Sequence, residues 1–328
     1  MPARPAAVVV VVLSPGVRLD RLDAAGLRAL DAALRAGDPV QLVGRPACRW
    51  PLDELVPLCH GVEDPDLHAL LPPAGRGGGG VPGVTVVIPT HRQRPIGLAA
   101  LLGQDVPVEV VVLVNGEAAA AAMAGPPPGV AVHRVPWEGH GRTRQVGAEL
   151  ARHPYVLFTV DDAIPLGAGC LRAMVETLEA GAFDAVTARQ VPWPTADAVT
   201  RARLRAWTPP PGGPAPEATL DNVCALYRRE ALLADPFDAV PIAEDWRWGR
   251  RHRVGYAPLA PVLHSHPRRL RAAFARTRDI HRERHLSGEP PAVPDLPSLL
   301  RALPSTVGWD ARGALGELLG QYAAARRR

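Results

Sequence analysis

Four apolar runs of strand length, each separated from the next by a helical stretch, limit what this chain can fold into. They are "VTVVIP" (84–89), "VEVVVLV" (108–114), "VAVHRV" (130–135) and "YVLFTV" (155–160). Strands that are hydrophobic almost throughout are covered on both faces, as in a parallel sheet between helices. Residues 96–102, the alanine-rich 118–124 and 141–152 supply the helices between them. The alternation predicts an α/β fold with a mostly parallel central sheet and helices on both faces. Ligands of such sheets sit at the carboxyl ends of the strands, so the residues that follow each run are the ones to inspect.

Around this unit the pattern changes. A helix is expected over 170–180 and a further strand over 184–191. Residues 193–220 contain "WTPPPGGPAPEATL", which predicts an irregular, lid-like loop. Residues 1–75 read as a small α/β extension of unknown role. Its strands are 8–13 and "PVQLVG", and its helix over 20–35 carries Leu22, Leu27, Leu30 and Leu34 on one side, with a stop at Gly37. The glycines of 76–83 predict a flexible linker. Residues 84–290 form the main domain, and 291–328 form a helical tail ending in Arg326, Arg327 and Arg328.

Composition excludes several classes. The chain is 47% hydrophobic and 21% charged, enough to build a core. All 37 of its Lys+Arg residues are arginine, a bias that codon usage accounts for, and without lysine a P-loop is excluded. A net charge of +4 suits a phosphorylated substrate or an anionic membrane surface. No basic helix interleaved with aromatics and no zinc-finger spacing points to nucleic acid. Cys48, Cys59, Cys170 and Cys224 form no CxxC pair and read as reduced thiols. The N-terminal apolar run is too short for a membrane span and lacks the features of a signal peptide. A cytoplasmic location is expected, with peripheral docking on the inner membrane face as an option.

The strand ends carry the chemistry. The first strand ends in "IPTHRQRP", where Pro89, Thr90, His91 and Arg92 can meet a nucleotide or form an ordinary loop. No G-x-G-x-x-G follows, so a dinucleotide-binding Rossmann domain is disfavoured. The fourth strand runs into Asp161-Asp162. Paired hard carboxylates suit Mg²⁺ or Mn²⁺ beside substrate phosphates; capping the next helix would use only one of them. "IAEDWRWGRR" supplies Glu244 and Asp245, either a general base or part of a solvated helix face paired with Arg247, Arg250 and Arg251. In "PVLHSHPRRL", His264 and His266 alternate along an extended segment and so share a face, as metal or phosphate contacts would.

In order along the chain, "VTVVIPTHRQRP", "VDDAIP", "ARQVPWPTADAVTRARLRAW", "DNVCALYRREALLADPFDAVPIAEDWRWGRR" and "GYAPLAPVLHSHPRRL" resemble glycosyltransferase family 2, and most closely its bacterial rhamnosyltransferase-like members. The resemblance covers about 84 to 282. It implies a GT-A fold, a nucleotide-diphospho-sugar donor, a divalent metal (Mg²⁺ or Mn²⁺) and inversion at the anomeric carbon. By the same resemblance Asp245, with Glu244 beside it, matches the catalytic base. Asp162 matches the last aspartate of D-x-D, and Asp161, His264 and His266 join it at the metal. Pro89, Thr90, His91, Arg92, Asn115, Arg144 and Asp161 fall on the donor side, and Asn222, Arg228 and Trp246 on the acceptor side. Two positions depart from the family. Val160 stands where D-x-D has its first aspartate, and Val114-Asn115 replaces a base-reading Asp, with Asn115 as the substitute. The acceptor is expected to be a carbohydrate, a lipid-linked molecule or a small molecule, and the oligomeric state is left open. A binding protein of the same fold that has lost its chemistry, and a nucleotidyltransferase, are the rival readings.

Overall fold

The computed structural model of the chain describes residues 9–12, 40–43, 81–91, 94–193, 196, 198–212, 219–266, 270–302 and 311–326. The helix expected over 20–35, Cys48 and Cys59, the linker residues 76–80, Arg92, Arg327 and Arg328 lie outside the described residues. So do the loop residues 194–195 and 213–218.

Near the N-terminus, β1 (Val9–Val12) and β2 (Val40–Val43) pair in parallel as a two-stranded sheet. The main sheet has eight strands in the order β5-β4-β3-β6-β9-β8-β10-β7. Its parallel half is β3 (Val84–Thr90), β4 (Val108–Val114), β5 (Val130–Arg134) and β6 (Tyr155–Thr159). Short helices α1 (Leu98–Leu102) and α2 (Glu117–Ala122), then α3 (His140–Leu150), link these strands.

Alternation along each strand explains why the runs are apolar throughout. Val84, Val86 and Ile88 face one core with α1, α2 and α4 (Cys170–Ala180), while Val87 packs with Ala148 of α3 in the other. Val110, Val112 and Val114 of β4 divide from Val111 and Leu113 in the same way. A period of two thus feeds two layers. Close layering is also written into Gly147 of α3, where a Cβ would lie 2.3 Å from a Val87 methyl.

The other half of the sheet is mixed. β9 (Cys224–Arg228) runs antiparallel to both β6 and β8 (Ala185–Val191). β10 (Val254–Leu263) runs parallel to β8, and the two-residue β7 (Ile164–Pro165) closes the edge antiparallel to β10. Two reversals through β9 therefore bring the carboxyl ends of β8 and β10 to the same edge as those of β3, β4 and β6.

The stretch 193–220 differs from the irregular loop expected of it. It contains α5 (Ala198–Trp207), built from ten residues without Gly or Pro and rich in Ala and Arg. After β9 come α6 (Arg229–Ala234) and α7 (Glu244–Gly249). The chain ends in α8 (Leu270–Leu286), α9 (Leu296–Ala302) and α10 (Ala311–Arg326). α10 lies on α8 through glycines: a Cβ at Gly316 would be 2.4 Å from the Leu270 carbonyl oxygen, and one at Gly320 would be 2.7 Å from that of Phe274. Among the described residues no helix is long and apolar enough to cross a membrane. Cys170 and Cys224 are buried free thiols.

Candidate active site

Asp161 and Asp162 follow β6 and take different partners. Thr90, the last residue of the adjacent β3, donates from Oγ1 to Asp161 Oδ2 at 2.6 Å. Burial pushes the Asp161 carboxyl up, and this hydrogen bond holds it back. Asp162 turns toward β10, with Oδ1 3.6 Å from His264 Nε2 and Oδ2 3.6 Å from His266 Nδ1. One donor atom from each of Asp162, His264 and His266 lies within 4.8 Å of the other two. Asp161, expected at the metal, bonds Thr90 and lies outside the group formed by Asp162, His264 and His266. The alternative set aside above, an aspartate capping α4, is not what the structure has: β7 intervenes and Gly169 is the residue before the helix.

The imidazole of His264 is held in one tautomer. Gln190 of β8 donates Nε2–H to Asp221 Oδ2 at 2.7 Å, which leaves its Oε1 as an acceptor. That oxygen is 3.1 Å from His264 Nδ1, so Nδ1 carries the proton and the Nε2 lone pair points toward His266 Nε2, 3.2 Å away. Burial lowers the pKa of both histidines and so favours the neutral form that binds metals. A ring nitrogen fixed by an amide behind it is how ligating histidines are oriented.

Glu244 and Asp245 begin α7 and are held apart in role. Glu244 is 2% exposed; it receives Arg144 Nη1 at 2.6 Å and Asn222 Nδ2 at 2.9 Å. Asn222 is fixed in turn by the Tyr227 hydroxyl at 2.7 Å. Asp245 accepts two backbone N–H groups, from Asn222 at 2.9 Å and from its neighbour Trp246 at 2.7 Å. Burial, then the charges of Glu244 and Asp221, push the Asp245 carboxyl up to about 7. The two carboxylates thus differ: Glu244 anchors the Arg144 and Asn222 side chains, while Asp245 is held by backbone N–H groups.

The scaffold behind this pair is aromatic. Trp248 of α7 is fully buried and meets Tyr227 edge-on at 5.1 Å; Phe158 and Phe237 complete the cluster. Its indole N–H donates to the Asp235 carbonyl at 2.7 Å. Ala243, before Glu244, sits at φ 66°, a left-handed conformation that costs a non-glycine residue roughly 1–2 kcal/mol. Packing of Trp248 holds this strained entry into α7, and with it the aim of Asp245.

Two cavities meet between these groups. The first, about 930 Å³, is walled by Thr90, His91, Asn115, Trp137 and Asp161, at the ends of β3, β4 and β6. The second, about 420 Å³, is walled by Asn222, Asp245, Trp246, Trp207 and Arg284. His140, Arg144, Val160 and His266 border both. Pro89 also lines the first cavity. Asn115 spends its amide N–H groups on the Val135 and Pro136 carbonyls at 2.8 and 3.3 Å. Trp246 has Arg250 and Arg284 guanidiniums over its ring, 5.0 and 4.8 Å from the centroid.

Arg228 is not brought to the site. β9 runs antiparallel to β6, so its first residue, Cys224, is at the ligand edge and Arg228 at the opposite one. There Arg228 binds Glu179 at 2.7 Å and the Phe183 carbonyl at 2.9 Å. Two residues that line the site, His140 and Arg276, had carried no sequence signal, and two others, Gln190 and Asp221, lay inside the quoted segments without being singled out. His140 lies one helical turn before Arg144, a spacing that could have flagged it. Burial and the Arg144 charge lower its pKa to about 4. Arg276 of α8 lines the smaller cavity and, among the described residues, has no ion-pair partner.

No protein-family model matches the chain. No curated protein matches it either. Among solved structures it is similar to the mannosyltransferase PcManGT from Pyrobaculum calidifontis in complex with GDP-Man and Mn²⁺, at 18% identity over 91% of this chain and 97% of that one, with a TM-score of 0.52. It also matches S. aureus TarS 1-349, at 17% identity over 73% and 71% of the two chains (TM-score 0.46), and the same protein in complex with UDP-GlcNAc, at 15% identity over 73% and 72% (TM-score 0.40). The likeness to PcManGT is one of fold, and the fold is of the GT-A type.

Proposed function

We propose that this protein is an inverting glycosyltransferase. It moves a hexosyl or deoxyhexosyl group from a nucleotide-diphospho-sugar to an acceptor hydroxyl. The observation that carries the proposal is Asp245: a carboxylate aimed by two backbone N–H groups, pushed up to about 7, on the wall of a cavity that adjoins a nucleotide-sized one. A carboxylate with that pKa is matched to removing a hydroxyl proton near neutrality.

In this reading the nucleoside lies in the larger cavity, with its base near Asn115 and Trp137. The amide N–H groups of Asn115 are occupied, so its Oδ1 is the group left to accept a base N–H. The diphosphate faces Asp162, His264 and His266, with Arg144 and Arg276 contributing positive charge. Asp245 takes the proton of the acceptor hydroxyl as its oxygen attacks the anomeric carbon. The bond to the diphosphate oxygen breaks in the same step, and the electron pair leaves with the nucleoside diphosphate.

A divalent cation fits the donor set of one carboxylate and two neutral imidazoles. That mixture favours Mn²⁺ over Mg²⁺, whose preference is for oxygen. Asp162, His264 and His266 would hold it, and it would neutralise charge on the departing diphosphate. The two histidines supply the ligands that Val160, at the first place of D-x-D, cannot. The products are then sugars of inverted anomeric configuration, made in polysaccharide, glycolipid or natural-product glycosylation.

A thermal-shift screen of UDP, GDP, dTDP and their sugars, with and without Mn²⁺, tests the donor side, because a bound nucleotide raises the melting temperature by mass action. A metal-dependent shift with one nucleotide, followed by release of that nucleoside diphosphate, supports the reading. A shift without any release leaves a nucleotide-sugar-binding protein instead.

A further inference from the structure

The cavity beside Asp245 does not end there. It continues beneath α8 into a space of about 560 Å³, and the two share Trp207, Asp221, Val223, Arg276 and Ile280. The nucleotide-sized cavity touches this space through His266 alone. The extension is therefore continuous with the acceptor side and meets the metal-ligand set only at its inner end, through His264 and His266 among the described residues.

Its walls change character away from the reaction centre. Leu204 and Trp207 of α5 face Ala272, Ala273 and Ile280 of α8. Trp207 keeps 40% of its surface exposed although its ring borders both acceptor-side spaces. Several polar groups in these walls are paired: Arg203 with Glu317 of α10, Gln190 with Asp221 and His264, and Ser265 with the Trp193 N–H. Arg276 and His266 stand where the two spaces join, whereas Leu204, Ala272 and Ala273 line the second space alone. A sugar ring needs hydrogen-bond partners for each hydroxyl it buries. This wall offers few, while its apolar surface would gain from covering.

We propose that this second space receives the apolar body of an amphiphilic acceptor, a hydroxyl compound bearing an acyl chain or an aromatic ring, with its polar end at Asp245. The word acceptor rests on the glycosyltransferase reading; the binding site for an amphiphile does not.

Binding is measured on the full-length protein without any donor. The fluorescent probe 1-anilinonaphthalene-8-sulfonate is bound first and then displaced by methyl, phenyl or octyl β-glucoside, each below its micelle-forming concentration. The expected result is displacement by octyl or phenyl glucoside at concentrations at least tenfold lower than methyl glucoside needs. Octyl ahead of phenyl assigns an acyl chain, and the reverse assigns an aromatic ring. Ala273→Trp, which fills the space, and Leu204→Glu, which charges its wall, should each weaken that displacement at least tenfold. Both should keep the nucleotide-induced thermal shift of the wild type, which also reports that they fold. Equal competition by methyl glucoside, or wild-type displacement in both variants, would overturn the proposal. Loss of the glycosyltransferase reading shows separately, as a wild-type protein that binds no nucleotide.

Discussion

Asp161 and Asp162 share a peptide bond but serve different walls: Asp161 accepts the Thr90 hydroxyl at 2.6 Å, and Asp162 faces His264 and His266 at 3.6 Å each. One carboxylate ties β6 to β3, and the other is left for a cation. Asp162→Asn should weaken Mn²⁺ binding by tenfold or more, as titration calorimetry or Mn²⁺ electron paramagnetic resonance would read it. Asp161→Asn should change Mn²⁺ affinity less. Equal losses in the two variants would return Asp161 to the metal.

The tautomer lock predicts a milder effect at a distance. Gln190→Leu removes the acceptor behind His264 Nδ1 and frees Asp221. Loss of such outer hydrogen bonds typically costs 10–100-fold in metal affinity, so Mn²⁺ binding should fall in that range while nucleotide binding without metal is unchanged. Unaltered Mn²⁺ affinity would show that the lock is not used.

Arg144 and Glu244 form a buried ion pair at 2.6 Å, with side chains 7% and 3% exposed. Breaking such a pair leaves one charge buried alone, at a cost of about 3–5 kcal/mol. Glu244→Ala should therefore lower the urea midpoint sharply, since Arg144 loses its partner and Asn222 an acceptor. A stable but inactive Glu244→Ala protein would instead point to direct participation in chemistry.

If Asp245 is the base proposed above, it sets the pH dependence. A base must be ionised to work, so kcat/KM should be low in acid and rise through pH about 7, and this limb should vanish with Asp245→Asn. His140, held at about 4, stays neutral across that range and cannot supply the limb. Linkage gives a second consequence. The folded protein keeps a proton on Asp245 that the unfolded chain releases from about pH 4 upward, so this group's contribution to stability becomes less favourable between the two pKa values and levels off above pH about 7. A pH–rate profile flat from pH 5.5 to 8.5 would contradict the assignment.

The parallel half of the sheet was legible because each strand is buried on both faces and so reads as an unbroken apolar run. Residues 108–114 and 170–180 matched β4 and α4 to the residue. Of the mixed half, β8 was legible, expected over 184–191 and found at Ala185–Val191, but β9 and β10 were not. β9 is five residues with an arginine at its end, and β10 carries Pro258 and Pro261, which argue against a strand. The register of β10 against β8 shifts between Ala257 and Pro261, and that irregularity absorbs the prolines. Without β9's direction, Arg228 could not be assigned to the far edge. The Glu244–Asp245 pair and the histidines were readable as short motifs, whereas the contacts of Gln190 and Asp221 with His264, and the place of Arg276, depend on strand order and helix packing that no local pattern encodes.

The central claim is that Asp245 takes the acceptor's proton during sugar transfer. The most direct measurement is release of nucleoside diphosphate from the nucleotide-sugar that stabilises the protein, with Mn²⁺ and acceptor present, in wild type and Asp245→Asn. The account predicts that the variant binds the nucleotide as tightly as wild type and releases diphosphate at least about 100-fold more slowly, the loss expected when a general base is removed. Wild-type turnover by Asp245→Asn would contradict it.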